Sequence, residues 1–346
     1  MIGSRIKSAR LMSGLSLRQL GDAVGVSHAA IRKYELGDSA PGSDILTRIA
    51  RAVSMPIDYF FREQTSYVVS LRFRDEHRLG PRQRDRVLAE TEDWLERYLA
   101  AQSLISPIFD DQTLPRIFTV RACEDVEDAA IALRKEWQLG IDPIASLVQA
   151  MEDRGVRVHL VGNCSGFEAL SFVVPGVGPC AVVCADVPGD RQRFSLGHEL
   201  GHLVLNIQEP DLIEPSCQRF ASALLVPREA AVHELGQHRS SLNYHELYLL
   251  KHKYGMSMRA WIIRAKQLGI VEPDWAAHAQ AEFAQNGWDR KEPGQQLAPE
   301  FPIRLEQLVF SALQEQSISY SRAGELLRCS PEQARKKSRS FGTVSP

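Results

Sequence analysis

Residues 191–206 read RQRFSLGHELGHLVLN. His198 and His202 stand four apart, so on a helix they lie one above the other on a single face, and both imidazoles can bind one Zn²⁺. Glu199 sits beside that face and is the residue type that takes a proton from a zinc-activated water. Phe194, Leu196, Leu200 and Leu203 supply apolar positions that can turn toward a core. The helix is expected to open near Asp190–Arg193, after a short loop leaving a strand at Cys180–Cys184.

A catalytic zinc needs a third protein ligand and an open fourth position. The metzincin extension would require Gly at 205 and His at 208; Leu205 and Gln208 exclude it. Glu214, twelve residues past His202, is the next candidate, expected at the start of a helix opened by Pro215. His159, His233 and His238 are its rivals. Upstream, helices are predicted over Val126–Trp137 and Ile144–Arg154, with Gly155 turning the chain into a strand at Val156–Val161. Strand-like runs follow at Ala169–Val174 and Cys180–Cys184. That order implies an α+β domain with helices outside a small sheet. Cys180 and Cys184 share a strand face about 13 Å apart, so they cannot share a metal while that strand stays extended. Cys217 is expected to pack as a small apolar residue.

The N-terminal sixty residues carry a different pattern. One helix runs through Ile6, Ala9, Arg10 and Leu11 and stops near Ser13-Gly14. Ser16 is placed to cap Leu17–Val24, Gly25 ends that helix, and Ser27 caps a third reaching Leu36-Gly37. Asp44–Val53 is a fourth, with Ile45, Ile49 and Val53 on one stripe. Gly21 lets the second and third helices approach, while Val24, Val26 and Ile31 are apolar where they must pack, which is the spacing of a helix-turn-helix. In such a module Ser27–Lys33 enters the major groove: His28, Ala29 and Arg32 face base edges, and Lys33 and Arg5 face phosphates. Residues 1–64 hold nine Lys and Arg against six Asp and Glu, a modest local excess of positive charge.

The whole chain of 346 residues is nearly balanced, with 41 Lys and Arg against 43 Asp and Glu, so neither a basic nucleic-acid coat nor an acidic solvating chain is indicated. Its length allows two or three domains. The charge-free run at 169–185 contains Pro175, Gly176, Gly178 and Pro179, so no spanning helix is available there. The N-terminus has no uninterrupted apolar core of a signal peptide, and the six cysteines form no CxxC; a cytoplasmic chain with reduced thiols and no membrane partner is the expectation. Tyr67–Phe73 alternates as a strand, Arg72–Arg86 is Arg-rich, a long helix is predicted over Pro81–Gln102, and Pro107–Pro115 has the composition of a linker. Leu247–Gly269 and Leu305–Leu327 are further helix–turn–helix-like pairs, read as packing or dimerisation units, with a second DNA-contacting surface as the alternative. Arg335–Arg339 is a small basic stretch.

Two resemblances organise these observations. Residues 3–60, through GLSLRQLGDAVGVSHAAIRKYELGDSAP, resemble the Xre/Cro-like repressors, with Gly21 in place of the usual Ala and Leu17 where a Gln often stands. Residues 120–235, through RQRFSLGHELGHLVLN and EPSCQRFASALLVP, look like the ImmA/IrrE zinc metallopeptidases, departing at Gln218 and at Pro215-Ser216. Carried over by position, the second resemblance implies that His198, His202 and Glu214 hold one Zn²⁺ and that Glu199 is the catalytic base. The fold class implied is α+β overall: an N-terminal all-α helix-turn-helix bundle (1–64), a linker helix region (65–119), a central α+β zincin-like metallopeptidase domain (120–235) and a helical C-terminal region (236–346). The function implied is a DNA-binding transcriptional regulator carrying a zinc-dependent endopeptidase that cleaves an Xre-type repressor, or itself. The partners are then a double-stranded DNA operator, the protein substrate and a second copy in a homodimer. The alternative is an Xre-type repressor or antitoxin-like regulator whose zinc domain is a non-catalytic sensor or scaffold.

Overall fold

The computed structural model describes residues 2–62, 80–105, 117–164 and 166–340. The strand expected at Tyr67–Phe73, the linker at Pro107–Pro115 and most of the Arg72–Arg86 stretch lie outside the described residues. The chain divides into two compact units, residues 1–108 with 305–346, and residues 109–304.

The first unit opens with α1 (Ile2–Met12), α2 (Leu17–Val24), α3 (His28–Leu36), α4 (Ser43–Ala52), a 3₁₀ turn (Ile57–Phe61) and the long α5 (Pro81–Gln102). The caps fall where the sequence puts them. Ser16 accepts from the Gln19 N–H while the Gln19 side chain accepts from the Ser16 N–H, and Ser27 accepts from the Ala30 N–H. Gly25 and Gly37 end their helices in the left-handed region. Gly21 has no room for a side chain, because a Cβ there would meet the Val26 carbonyl at 2.7 Å. Ile6, Leu20, Val24, Ile31, Ile49 and Phe60 close over one core. On α5, Trp94, Leu95 and Tyr98 are buried, as is an ion pair that apolar periodicity does not announce: Arg97 Nε lies 2.6 Å from Asp93.

The second unit runs β1 (Phe118–Val120), α6 (Asp125–Glu136), α7 (Leu147–Glu152), β2 (Arg157–Val161), β3 (Ala169–Val174), β4 (Gly178–Cys184), α8 (Gly189–Val204), β5 (Leu205–Ile207), α9 (Pro210–Leu225), α10 (Arg228–Leu235), α11 (Tyr244–Tyr254), α12 (Met258–Gln267) and α13 (Pro273–Gln285). β4 is central: β2 pairs with it in parallel, Val158 opposite Ala181, and β3 pairs antiparallel, Ser171 opposite Ala181. A separate two-stranded parallel sheet joins β1 to β5, a pairing of segments 85 or more residues apart that local patterning does not reveal. The α+β class expected from the sequence is the class found. Helix α7 is shorter than the predicted Ile144–Arg154, because Ser146 caps it by accepting from the Gln149 N–H.

The segment expected as one C-terminal helical region, 236–346, is shared between the units. α11 and α12 belong to the core of the second unit, where Trp261 and Ile262 are fully buried. α14 (Arg304–Gln314), α15 (Tyr320–Leu327) and α16 (Pro331–Ser340) close the first unit from the other end of the chain. Arg97 donates to the Leu326 carbonyl at 2.6 Å, and Arg328 meets Asp93 at 2.8 Å, so α15 is tied to α5 by charge-assisted bonds. Burial raises the Asp93 carboxyl, but Arg97 and Arg328 outweigh it and hold the group below the ordinary carboxylate range. Among the described residues no helix is long and apolar enough to cross a membrane.

Candidate functional site

α8 carries His198, Glu199 and His202, and α9 crosses it closely. Gly197 and Gly201, one turn apart on α8, permit that approach: a Cβ on Gly197 would stand 3.2 Å from Ala221, and one on Gly201 would stand 3.2–3.3 Å from Phe220 and Cys217. With the helices this near, Glu214 reaches both imidazoles. It does so from the second turn of α9, since that helix opens at Pro210 and Pro215 lies inside it. The expectation that Glu214 begins a helix opened by Pro215 is therefore corrected: Pro210 already occupies the favoured first-turn position.

His198 Nε2 and His202 Nε2 are 3.0 Å apart, His198 Nε2 is 3.2 Å from Glu214 Oε2, and His202 Nε2 is 3.4 Å from Glu214 Oε1. Donors held about 2.0–2.1 Å from one tetrahedral ion are separated by about 3.3 Å, so the three atoms form one face of such a polyhedron. This is a donor set of the right type and size for a divalent ion, and the three side chains are grouped within metal-ligand reach. His159, His233 and His238 are not part of that group. The imidazoles are largely covered, while the Glu214 side chain is 55 % exposed, so the face opens to solvent on the Glu214 side.

Two neighbours complete the surroundings: Cys217, which the sequence marks only as a small apolar packing residue, and Ser171, which it does not mark at all. Cys217, fully buried on α9, places its Sγ 3.2 Å from His202 Nδ1, where it fixes the ring that presents Nε2. Ser171, on β3, donates to Glu199 Oε2 at 2.6 Å and so fixes the carboxylate beside the two imidazoles. A serine on a short strand gives no sequence signal for this, because the facing residue depends on how β3 packs on α8. A second group of potential ligands, Cys164, Cys184 and Asp186, lies at the far end of β4. Cys184 does not pair with Cys180, as the extended strand requires, but meets Cys164, whose Sγ is 2.8 Å away. That is shorter than the separation of about 3.8 Å between two thiolates on one tetrahedral zinc, so this group fits a metal poorly.

The helix-turn-helix residues have a simpler disposition. His28, Ala29, Arg32 and Lys33 are all exposed on α3. Arg5 is not with them. It is 3 % exposed, its guanidinium meets Glu96 at 2.7 Å and donates to the Arg62 carbonyl, and it lies over the Tyr59 ring. The phosphate contact expected of Arg5 is thus corrected: its charge is engaged inside the bundle.

Comparisons with known proteins agree with this division. Residues 6–60 match the family described as Helix-turn-helix, and residues 168–266 match the family described as IrrE N-terminal-like domain. An HTH-type transcriptional regulator of Sinorhizobium medicae is 36 % identical over 62 residues, 18 % of this chain and 45 % of that one. One of Rickettsia conorii is 42 % identical over 60 residues, 17 % of this chain and 48 % of that one. The chain thus spans about half the length of the curated relatives it matches. A crystal structure of Bacillus thuringiensis PlcR in complex with the peptide PapR7 and DNA aligns over 99 % of this chain and 94 % of that one, at 13 % identity and a TM-score of 0.18, too low to carry an argument. The chain carries an Xre-like helix-turn-helix at its N-terminus and, C-terminal to it, an IrrE/ImmA-like domain of the M78 peptidase family.

Proposed function

We propose that this chain is a cytoplasmic, operator-binding transcriptional regulator whose IrrE-like domain is a zinc-dependent endopeptidase, cutting an Xre-type repressor or the chain itself. The observation that supports the peptidase half best is the triangle of His198, His202 and Glu214 with Glu199 and its hydrogen bond from Ser171 beside it. Zinc, when held by those three residues, supplies Lewis-acid polarisation of an amide carbonyl and of water at neutral pH. Glu199 is the base: the residue is 9 % exposed, and its carboxylate accepts the proton of the attacking water and returns it to the leaving amine. Ser171 holds Oε2 of that carboxylate in place through the transfer. Among the described residues β3, which carries Ser171, pairs on one side only within its sheet, so an extended peptide can add along its other edge and bring one amide bond to Glu199.

The regulatory half rests on α3. Ser27 caps it, and its exposed His28, Ala29 and Arg32 are placed to meet base edges, with Lys33 on a phosphate. A homodimer on a two-fold operator follows from the usual half-site geometry of this motif. The test is incubation of the zinc-loaded full chain alone and with a neighbouring Xre-type repressor. Fragments formed by wild type and absent with Glu199→Gln support the reading. Cleavage by the variant at the wild-type rate removes Glu199 from its role, and operator binding with no fragments under any condition leaves a repressor with an inert zinc domain.

A further inference from the structure

α15 and α16 repeat α2 and α3 atom for atom at the turn. Ser16 caps α2 by accepting from the Gln19 N–H, and Ser319 caps α15 by accepting from the Arg322 N–H. Five residues on, Gly21 and Gly324 occupy the same crowded place: a Cβ on Gly21 would meet the Val26 carbonyl oxygen, Ser27 carbon and His28 nitrogen at 2.7, 3.3 and 3.2 Å. On Gly324 it would meet the corresponding atoms of Cys329, Ser330 and Pro331 at 2.6, 3.3 and 3.2 Å. Val26 donates to the Gly21 carbonyl and Cys329 to the Gly324 carbonyl. The left-handed turn residue is Gly25 in one and Arg328 in the other, at φ 73° and 52°. Ser27 and Ser330 cap the second helix, and four residues later Ile31 and Ala334 are both fully buried against the first. Every position is displaced by 303 residues, and Arg32-Lys33 then falls on Arg335-Lys336.

A left-handed arginine is an uncommon choice, and here the fold holds it: Arg328 makes the contact with Asp93 on α5. The result is a second helix pair anchored directly on α5, the same long helix that α1 joins through Arg5 and Glu96, while α1 in turn holds α3 through Arg10 and Glu35. α11 and α12 also turn through a left-handed Gly255 into a Ser257 cap, but most of α12 is buried in the core of its unit, with Met258, Ala260, Trp261, Ile262, Arg264 and Ala265 covered. α16 is the opposite. Apart from Ala334, its cationic side is exposed: Arg335 packs over the Tyr320 ring, Lys337 bonds Glu306 from α14, and Lys336 and Arg339 project on the same short helix.

We infer that α15–α16 is a second helix-turn-helix that binds double-stranded DNA, with α16 in the major groove. Arg335 and Lys336 take the places that Arg32 and Lys33 hold in the first, and Arg339 adds a phosphate contact. Glu332, which takes the place of Ala29, is suited to accept from the exocyclic amine of cytosine. Because α15 is tied to α5 directly and α3 is tied to it through α1, one chain reads two separate stretches of duplex at a set spacing. The inference shares its partner class with the reading of α3 but rests on its own geometry.

The test uses the full chain and duplexes of about 40 base pairs selected from a random pool by the wild-type protein, long enough for two half-sites. Arg335→Ala/Lys336→Ala/Arg339→Ala is compared with Arg32→Ala/Lys33→Ala, with circular dichroism melting to show that each is folded. Removing one phosphate-binding cation lowers the slope of log K against log salt by about 0.9, so the α16 variant should drop by about 2 to 3 in slope, at least about tenfold in affinity at 0.1 M salt, and should protect only one of two footprinted blocks. A charge-retaining Arg335→Lys/Arg339→Lys variant should keep the slope. The inference is overturned if the α16 variant keeps the affinity, slope and footprint of wild type. If α16 alone matters and the α3 variant is unaffected, the inference stands and the reading of α3 falls.

Discussion

Lys251→Met tests how the fold holds the metal-bearing helix. Lys251 is fully buried on α11, with its Nζ 2.9 Å from Glu292 and 3.2 Å from Asp190, which lies in the first turn of α8. Both carboxylates are themselves buried, at 8 % and 4 % exposure. Methionine keeps the stem and its packing but removes the one cation between them. Glu292 keeps two backbone donors, the N–H groups of Met258 and Arg259, whereas Asp190 Oδ1 has no hydrogen-bond partner even in wild type. The loss falls mainly on Asp190, and thus on the start of α8. Leaving a buried charge uncompensated costs about 3–5 kcal/mol. For a unit of this size that lowers the midpoint of thermal unfolding by about 10 °C. Calorimetry or circular dichroism melting of the metal-free full chain reads the shift, and Lys251→Met with Asp190→Asn and Glu292→Gln should recover part of it. A single variant that melts within a degree or two of wild type would refute the reasoning.

Three other outcomes are expected. Burial pushes the Glu152 carboxyl up to about 7, against the backbone N–H groups of Ile303 and Arg304 that pull it down. The folded chain therefore keeps a proton that the unfolded chain loses above its ordinary pKa near 4.5, so stability is greatest below that value and falls as pH rises to about 7, by about 3 kcal/mol at most. Urea midpoints of Glu152→Gln should lose that slope; an unchanged slope contradicts the assignment. Ser171→Ala should slow cleavage about 10- to 100-fold with metal content unchanged, the worth of a hydrogen bond to a charged group, and an unaltered rate would remove Ser171 from the site. Arg5→Ala should lower stability and leave the salt dependence of DNA binding alone, while Lys33→Ala should lower that slope by about 1; the reverse pattern would return Arg5 to the DNA surface.

Much of the fold was legible because it is written locally. Ser16, Gly25 and Ser27 announce their caps and turns within a few residues, and His198 and His202 share a face by helical periodicity alone. Glu214 was legible as a candidate but not as a position: its approach depends on Gly197 and Gly201 letting α9 close on α8, a property of two helices together. Ser171 was silent for the same reason, as was the pairing of β1 with β5, and Cys217 was legible as a buried small residue but not as the partner of His202. Arg5 misled because an exposed basic residue and one paired with Glu96, 91 residues away, look identical in a string. The division of the C-terminal helices between two units was likewise set by contacts such as Arg97 with the Leu326 carbonyl, 229 residues apart.

The central claim is that α8 and α9 together hold one zinc ion on His198, His202 and Glu214. Elemental mass spectrometry of the full chain purified without chelator should find about one zinc per chain in wild type and in Glu199→Gln, and almost none in His198→Ala/His202→Ala. Wild-type protein that stays metal-free with zinc supplied in excess, or a double-histidine variant that keeps its zinc, would contradict it.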